Sequence, residues 1–140
     1  MALEASELNV GDTHEAILVE DLKRTQIVQY AGASGDYNPL HTDEIFTTQV
    51  AGYPSVFAHG MLTMGMTGRM LTDYVGDGRL TKFGVRFTAQ VWPGDDLKAT
   101  ATVEAVRDEA DGKVVDLKVS TVNQDGAEVL SGYASARVDA

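Results

Sequence analysis

The stretch Ser34-Gly35-Asp36-Tyr37-Asn38-Pro39-Leu40-His41 sets a carboxylate and an imidazole five residues apart, with Asn-Pro between them. On an ideal helix five residues turn through about 500°, which would leave the two side chains roughly 140° apart. Pro39 lacks an N–H and pushes Asn38 toward extended backbone, so no continuous helix joins them. Asp36 and His41 are therefore expected on a bent loop, with tips able to converge on one water. Neither group alone makes water a good nucleophile at neutral pH. A pair can, one partner orienting it and the other exchanging its proton, at a gain of typically about 10²–10⁴ in rate. An imidazole with an ordinary pKa of about 6.5 suits both directions of that transfer. The competing reading is structural: Asp36 as an Asx-turn acceptor and Asn38-Pro39 as a turn opener.

A second constellation is Ala58-His59-Gly60-Met61 at the start of an apolar stretch. The first N–H groups of a helix lack internal acceptors and carry partial positive charge. Gly60 lets a ligand oxygen approach without a Cβ in the way, which makes it an oxyanion-hole candidate for a carbonyl whose α-carbon is losing a proton. His59 is expected to cap or pack beside that hole. His14 is assigned to the surface or a strand edge. A metal on Asp36, His41 and Asp43 follows no known ligand spacing, so none is expected. There is no P-loop, dinucleotide fingerprint or Gly-x-Ser-x-Gly elbow.

These groups need elements to hold them. Ala58 to Val75 carries Met61, Met64, Gly68, Leu71 and Val75 beside a second row of Leu62, Met66, Met70 and Tyr74. Two adjacent apolar rows predict a helix with a broad buried stripe. Its glycines at 60, 65 and 68 are expected to let it lie close to a sheet. Leu80 to Val91 alternates strictly, with Phe83, Val85, Phe87, Ala89 and Val91 on one face, and predicts a strand ended by the turn at Pro93-Gly94. Leu97 to Ala105, Val115 to Thr121 and Val129 to Val138 predict three more, with turns at Asp111-Gly112 and Asn123 to Gly126. Together the four form an antiparallel meander. Upstream, Thr13 to Val19 reads as a strand, Asp21 to Ala31 as a helix, and Thr42 as the cap of a short helix. Lys82 and Arg86 share one strand face and are candidates for substrate phosphates, with Arg69, Arg79 and Lys98 as others.

The bounds on function are broad. The 140 residues fit one domain, 1–140, with 44% hydrophobic and 23% charged residues. A net charge of −10 argues against nucleic acid. No cysteine is present, so a thiolate zinc site and a cysteine nucleophile are excluded. No apolar run is long enough to span a bilayer and no secretory leader is visible, so a cytoplasmic protein is expected.

Tyr30 to Glu44 (YAGASGDYNPLHTDE), Phe57 to Gly65 (FAHGMLTMG) and Val85 to Asp95 (VRFTAQVWPGD) together resemble the MaoC-like family of (R)-specific enoyl-thioester hydratases and 3-hydroxyacyl-thioester dehydratases. Within it the chain looks most like the mycolic-acid type dehydratase subunits. The resemblance covers nearly the whole chain. It implies an α+β protein, a single hot-dog domain whose antiparallel sheet wraps a long central helix. It implies that Asp36 and His41 act on water, that Gly60 supplies an oxyanion N–H, and that Asn38 and Pro39 support the loop. No cofactor is implied, coenzyme A or acyl carrier protein being part of the substrate. The implied partner is a second hot-dog chain, as a homodimer or as a heterodimer with a related subunit, with the sheet continuing across the interface. Lys23 stands where relatives often have a capping Thr. Competing readings are a hot-dog thioesterase and a non-catalytic acyl-binding subunit.

Overall fold

Alternating β-branched and small residues in the second half of the chain form the strands that their period demands. The computed structural model describes residues 3–140, so Met1 and Ala2 of the expected domain lie outside the described residues. Strand β1 (Thr13–Val19) is followed by helix α1 (Arg24–Ser34), a one-turn helix α2 (Pro39–Thr42) and a π-helical turn at Phe46–Val50. Helix α3 (Gly60–Val75) comes next, then β2 (Leu80–Phe87), β3 (Leu97–Glu109), β4 (Gly112–Val122) and β5 (Glu128–Val138). These five strands pair antiparallel throughout, in the order β1-β3-β4-β5-β2. Helix α3 touches β1 and β2 at the two edges as well as β3 and β5 inside. A sheet whose opposite edges meet the same helix has to curl around it.

The meander holds for β3, β4 and β5 only. Strand β2 stops at Phe87 and pairs with β5, not with β3. Thr88 still donates its N–H to Val129 O of β5 at 2.9 Å, and the rest of the segment to 96 is bonded to loops. Ala58 N–H donates to Val91 O at 2.8 Å, Gly94 N–H to Leu22 O at 2.7 Å, and Leu22 N–H to Asp95 O at 2.9 Å. Pro93-Gly94 is thus part of a crossing from edge strand β2 to interior strand β3, not a hairpin. Period-two alternation reports a half-buried strand but not its neighbour.

The broad stripe expected of α3 faces the core, since Leu62, Met64, Met66 and Tyr74 pack against the buried cluster that holds Met70, Leu71 and Val75, but two threonines lie between its apolar rows. Its fully buried residues are Thr63, Thr67, Met70, Leu71 and Val75, while Met61 is 55% exposed. Thr67 is tolerated in the core because its Oγ1 shares a 2.7 Å hydrogen bond with Thr121 Oγ1 on β4. Close approach holds at two of the three helix glycines. A Cβ on Gly60 would stand 3.0 Å from the Phe87 ring and one on Gly68 3.3 Å from Phe83, whereas Gly65 has nothing within 4 Å. His14 lies on edge strand β1, yet its ring faces inward, stacked 4.4 Å from Tyr74 of α3. Among the described residues no helix is long and apolar enough to cross a membrane.

Two glycine substitutions should move stability in opposite directions. A Cβ on Gly132 of β5 would meet the Gly84 carbonyl oxygen at 2.0 Å, so Gly132→Ala must break the β2–β5 register; overpacking of that kind costs about 1–3 kcal/mol. Gly65→Ala, in open space on a helix, should add about 0.5–1 kcal/mol. Urea midpoints of the two variants check both signs, and an unperturbed Gly132→Ala protein would contradict the strand order.

Candidate active site

The loop carrying Asp36 is built by short-range bonds. Gly35 ends α1 in the left-handed region, φ +75°, with its N–H on Ala31 O. Helix α1 itself runs three residues later than expected, since Lys23 is its N-cap; the Gln26 side chain accepts the Lys23 N–H at 2.9 Å. Ser34 Oγ accepts the Asp36 N–H at 3.2 Å, and Asp36 Oδ1 accepts the Asn38 N–H at 3.2 Å. Asp36 therefore does close an Asx-turn.

His41 is not on a loop. Pro39 occupies the first position of α2, where a missing N–H costs nothing, and Asn38 Oδ1 caps the helix by accepting Leu40 N–H at 3.0 Å. Proline thus starts a helical turn here, and that turn swings His41 back. Thr42 is at the helix end with its Oγ1 donating to Asn38 O at 3.1 Å, so it is not the cap that its type suggests. Asp43 is spent on the Phe46 N–H at 3.0 Å.

The two imidazoles meet over this loop. His41 Nδ1–H donates to Phe57 O at 2.6 Å, leaving Nε2 as the basic nitrogen. His59 is 1% exposed, and its Nε2–H donates to the Asp36 backbone carbonyl at 2.9 Å. The rings of His41 and His59 stack 3.9 Å apart. Tyr30 presents an edge to His59 at 4.8 Å, and Phe57 packs edge-on against His41 at 5.3 Å. One ligand-type atom from each of Asp36, His41 and His59 lies within 4.8 Å of the others. A carboxylate and two imidazoles at that spacing are also a donor set for a divalent cation. Asp43 is not in the cluster and His59 is, which differs from the trio that spacing suggested.

Burial drives the His41 pKa below its ordinary 6.5. Proximity to His59 pushes the same way, while the Phe57 carbonyl and Asp36 oppose it. His41 is accordingly a neutral proton acceptor at neutral pH.

Gly60 is the first residue of α3, so its N–H has no acceptor within the helix. It opens on a cavity of about 320 Å³ walled by Phe57, Ala58, Phe87, Val91 and Val129. His41 lines a separate cleft with Arg24, Thr42, Glu44 and Val56. Phe57 links the two, bonding His41 through its carbonyl and walling the Gly60 cavity. Lys82 and Arg86 line neither. Lys82 Nζ lies 5.3 Å from the Tyr133 ring centroid, and the cation of the His41 cleft is Arg24, 3.1 Å from Glu44. Sequence reading missed Arg24, the Phe57 carbonyl and Thr63. Only Thr63 had a visible signal, a polar residue spaced four from Thr67 and set between the two apolar rows of the helix.

Residues 7–124 match a family model described as a MaoC like domain. The chain is 46% identical over 67 residues to 3-hydroxyacyl-thioester dehydratase Y of Mycobacterium tuberculosis, covering 46% of this chain and 23% of that protein. It is 37% identical over 101 residues to an enoyl-CoA hydratase of the same organism, covering 70% of this chain and 32% of that one. The chain therefore spans less than a third of either curated relative. Among solved structures, an (R)-hydratase from A. caviae involved in PHA biosynthesis matches with a TM-score of 0.82 at 26% identity, covering 96% of this chain and 99% of that one. An R-hydratase from Pseudomonas aeruginosa matches at 0.84 and 26%, covering 99% and 86%. The expected hot-dog architecture is the observed one.

The environment of His41 fixes the sign of its titration. Its folded pKa is depressed, so the unfolded chain takes the proton first. The stability it contributes is whole above pH 6.5 and is lost as pH falls through the window below. Its ring resonances, assigned by comparison with His41→Gln, should titrate with a midpoint under 6.5, and a midpoint above that value would contradict this environment.

Proposed function

The chain belongs to the MaoC-like domain family, and we propose that it catalyses reversible hydration of trans-2-enoyl thioesters to (R)-3-hydroxyacyl thioesters. The observation that carries this reading is the gathering of polar atoms from Asp36, His41 and His59 within 4.8 Å of one another at the head of α3.

In the hydration direction, Asp36 orients a water whose proton passes to Nε2 of His41 as its oxygen bonds to C3 of the enoyl group. The thioester carbonyl takes up the enolate charge at the Gly60 N–H. As the enolate collapses, C2 receives the proton from the face on which the water stood, so addition is syn and no net charge is left. Each role draws on a feature already described: a neutral His41, a ring oriented by Phe57 O, and a loop held by Asn38 and Pro39. The addition is redox-neutral, so the steps call on no redox cofactor; coenzyme A or acyl carrier protein enters as part of the substrate. For its phosphates, Arg24 in the His41 cleft joins Lys82 and Arg86 as a candidate.

A partner is part of this reading. Edge strand β2 has only β5 beside it, and Phe87 and Met61 are 47% and 55% exposed. A second hot-dog chain, identical or related, would extend the sheet there and cover both. The absence of a helix able to cross a membrane among the described residues is compatible with work in the cytoplasm.

Hydration of crotonyl-CoA, followed by loss of its conjugated absorbance, tests the reading. Asp36→Asn and His41→Gln should each lower kcat by about 10²–10⁴. Undiminished activity in either variant refutes the dyad. Release of free thiol in place of an intact (R)-3-hydroxyacyl thioester would make the protein a thioesterase.

A further inference from the structure

We propose that the Thr63 hydroxyl is a second hydrogen-bond donor to the thioester carbonyl oxygen, beside the Gly60 N–H; the inference rests on the hydratase reading and adds a residue to it. Thr63 is 2% exposed, and its Oγ1 has no hydrogen-bond partner. The other buried threonines are satisfied. Thr67 bonds Thr121, and Thr47 Oγ1 donates to Pro39 O and Asp43 O at 2.9 and 2.7 Å. A buried hydroxyl without a partner forfeits its hydration for nothing in return, so a fold keeps one only where something polar comes to meet it.

Position says what that is. Thr63 lies one helical turn after Gly60, and helical Cα–Cβ bonds lean toward the N-terminus, so its side chain projects back along the face that Gly60 opens. Both residues line the same cavity of about 320 Å³. Ala58, Phe87, Ala89, Val91 and Val129 give the cavity hydrocarbon surface; of its other polar side chains, Thr88 Oγ1 is already spent on Glu128 O at 2.7 Å, and Gln90 lies on the segment after β2. The Phe87 ring closes against Gly60 at the distance where a Cβ would already crowd it. A largely apolar chamber with two donors at the helix start suits an acyl group carrying a single acceptor oxygen. Thr63 is free to give its proton, because it has not bonded the His59 carbonyl one turn back. That carbonyl instead receives the Thr63 N–H at 3.4 Å and the Leu62 N–H at 3.1 Å. Once charge develops on the substrate oxygen, a donor already aimed at it needs no reorganisation.

The test compares Thr63→Val and Thr63→Ser in the full chain. With crotonyl-CoA, Thr63→Val should lose on the order of 10²-fold in kcat, as removal of one oxyanion donor does, with KM little changed, and Thr63→Ser should restore most of the rate. Stability should go the other way, because Val removes an unpartnered polar atom; a melting temperature equal to or above the parent's is expected. A spectroscopic arm reads the carbonyl directly. In an Asp36→Asn background, binding of 2,4-hexadienoyl-CoA should red-shift its absorbance, and adding Thr63→Val should shrink that shift. Full kcat with an undiminished shift in Thr63→Val overturns the proposal, as does a lost melting temperature with kcat intact. Should Thr63→Val not fold, Thr63→Ala carries the same expectations for kcat and the shift. A parent protein that neither hydrates crotonyl-CoA nor binds the dienoyl thioester refutes the hydratase reading instead.

Discussion

One buried imidazole ties the site together. His59 stands at the N-cap of α3, where a small polar side chain would ordinarily turn back to satisfy the helix's own amides. Its side chain makes no cap bond. It reaches the other way, donating to the Asp36 carbonyl and laying its ring against His41. Two consequences follow from this one choice. The loop bearing the carboxylate is fastened to the most buried helix of the fold, and the leading amides of that helix stay available for something other than a side chain. A His41 ring stacked on a second imidazole and half-buried is also held neutral, which suits a proton acceptor. The Phe57 carbonyl, bonded to Nδ1, decides which nitrogen does the accepting.

The sheet's connectivity supplies the rest of the site. Because β2 pairs with β5 at the far edge, Phe87 ends beside Gly60 and closes one wall of the cavity. The crossing 88–96 then passes the head of α3, where Val91 O takes the Ala58 N–H and Val91 becomes a second wall. Had β2 continued to Val91 and folded back on β3, neither residue would reach the helix start. The strand that breaks the simple meander is the one that encloses the chamber.

What the chain discloses before folding divides along the range of the forces involved. Asn38-Pro39 starts a turn through bonds within four residues, and α3 announces itself by apolar spacing over sixteen positions. The period of β3, β4 and β5 and their short turns are equally local. The neighbour of β2 was misjudged because its partner lies more than forty residues on, at a separation about which alternation is silent. The two apolar rows of α3 were legible, but the threonines between them were not, because Thr67 reads as polar until Thr121 is known to sit opposite it. Asp36 and His41 could be picked by type and spacing. The carbonyls that orient His41 and His59 could not, since every residue has one. Lys82 and Arg86 were grouped correctly on one strand face, but the sequence holds no sign that Arg24 would stand closer to His41.

The distribution of unsatisfied atoms carries the argument one step further. Among the described residues, the buried side-chain atoms without a partner are His59 Nδ1 and Thr63 Oγ1. They lie four residues apart at the leading end of α3, on either side of Gly60. Elsewhere the same chain satisfies its buried polar groups with care. Asp95 accepts from Trp92 N–H and Gln124, Thr67 and Thr121 share a proton, and Ser135 donates to Asp116. A fold that pairs polar atoms throughout and leaves two orphans on one helical turn has not packed carelessly there. The two orphans stand where the start of α3 opens on a largely apolar chamber, beside the ring on which His41 stacks, and a ligand with a polar centre and an apolar body would restore what was lost there.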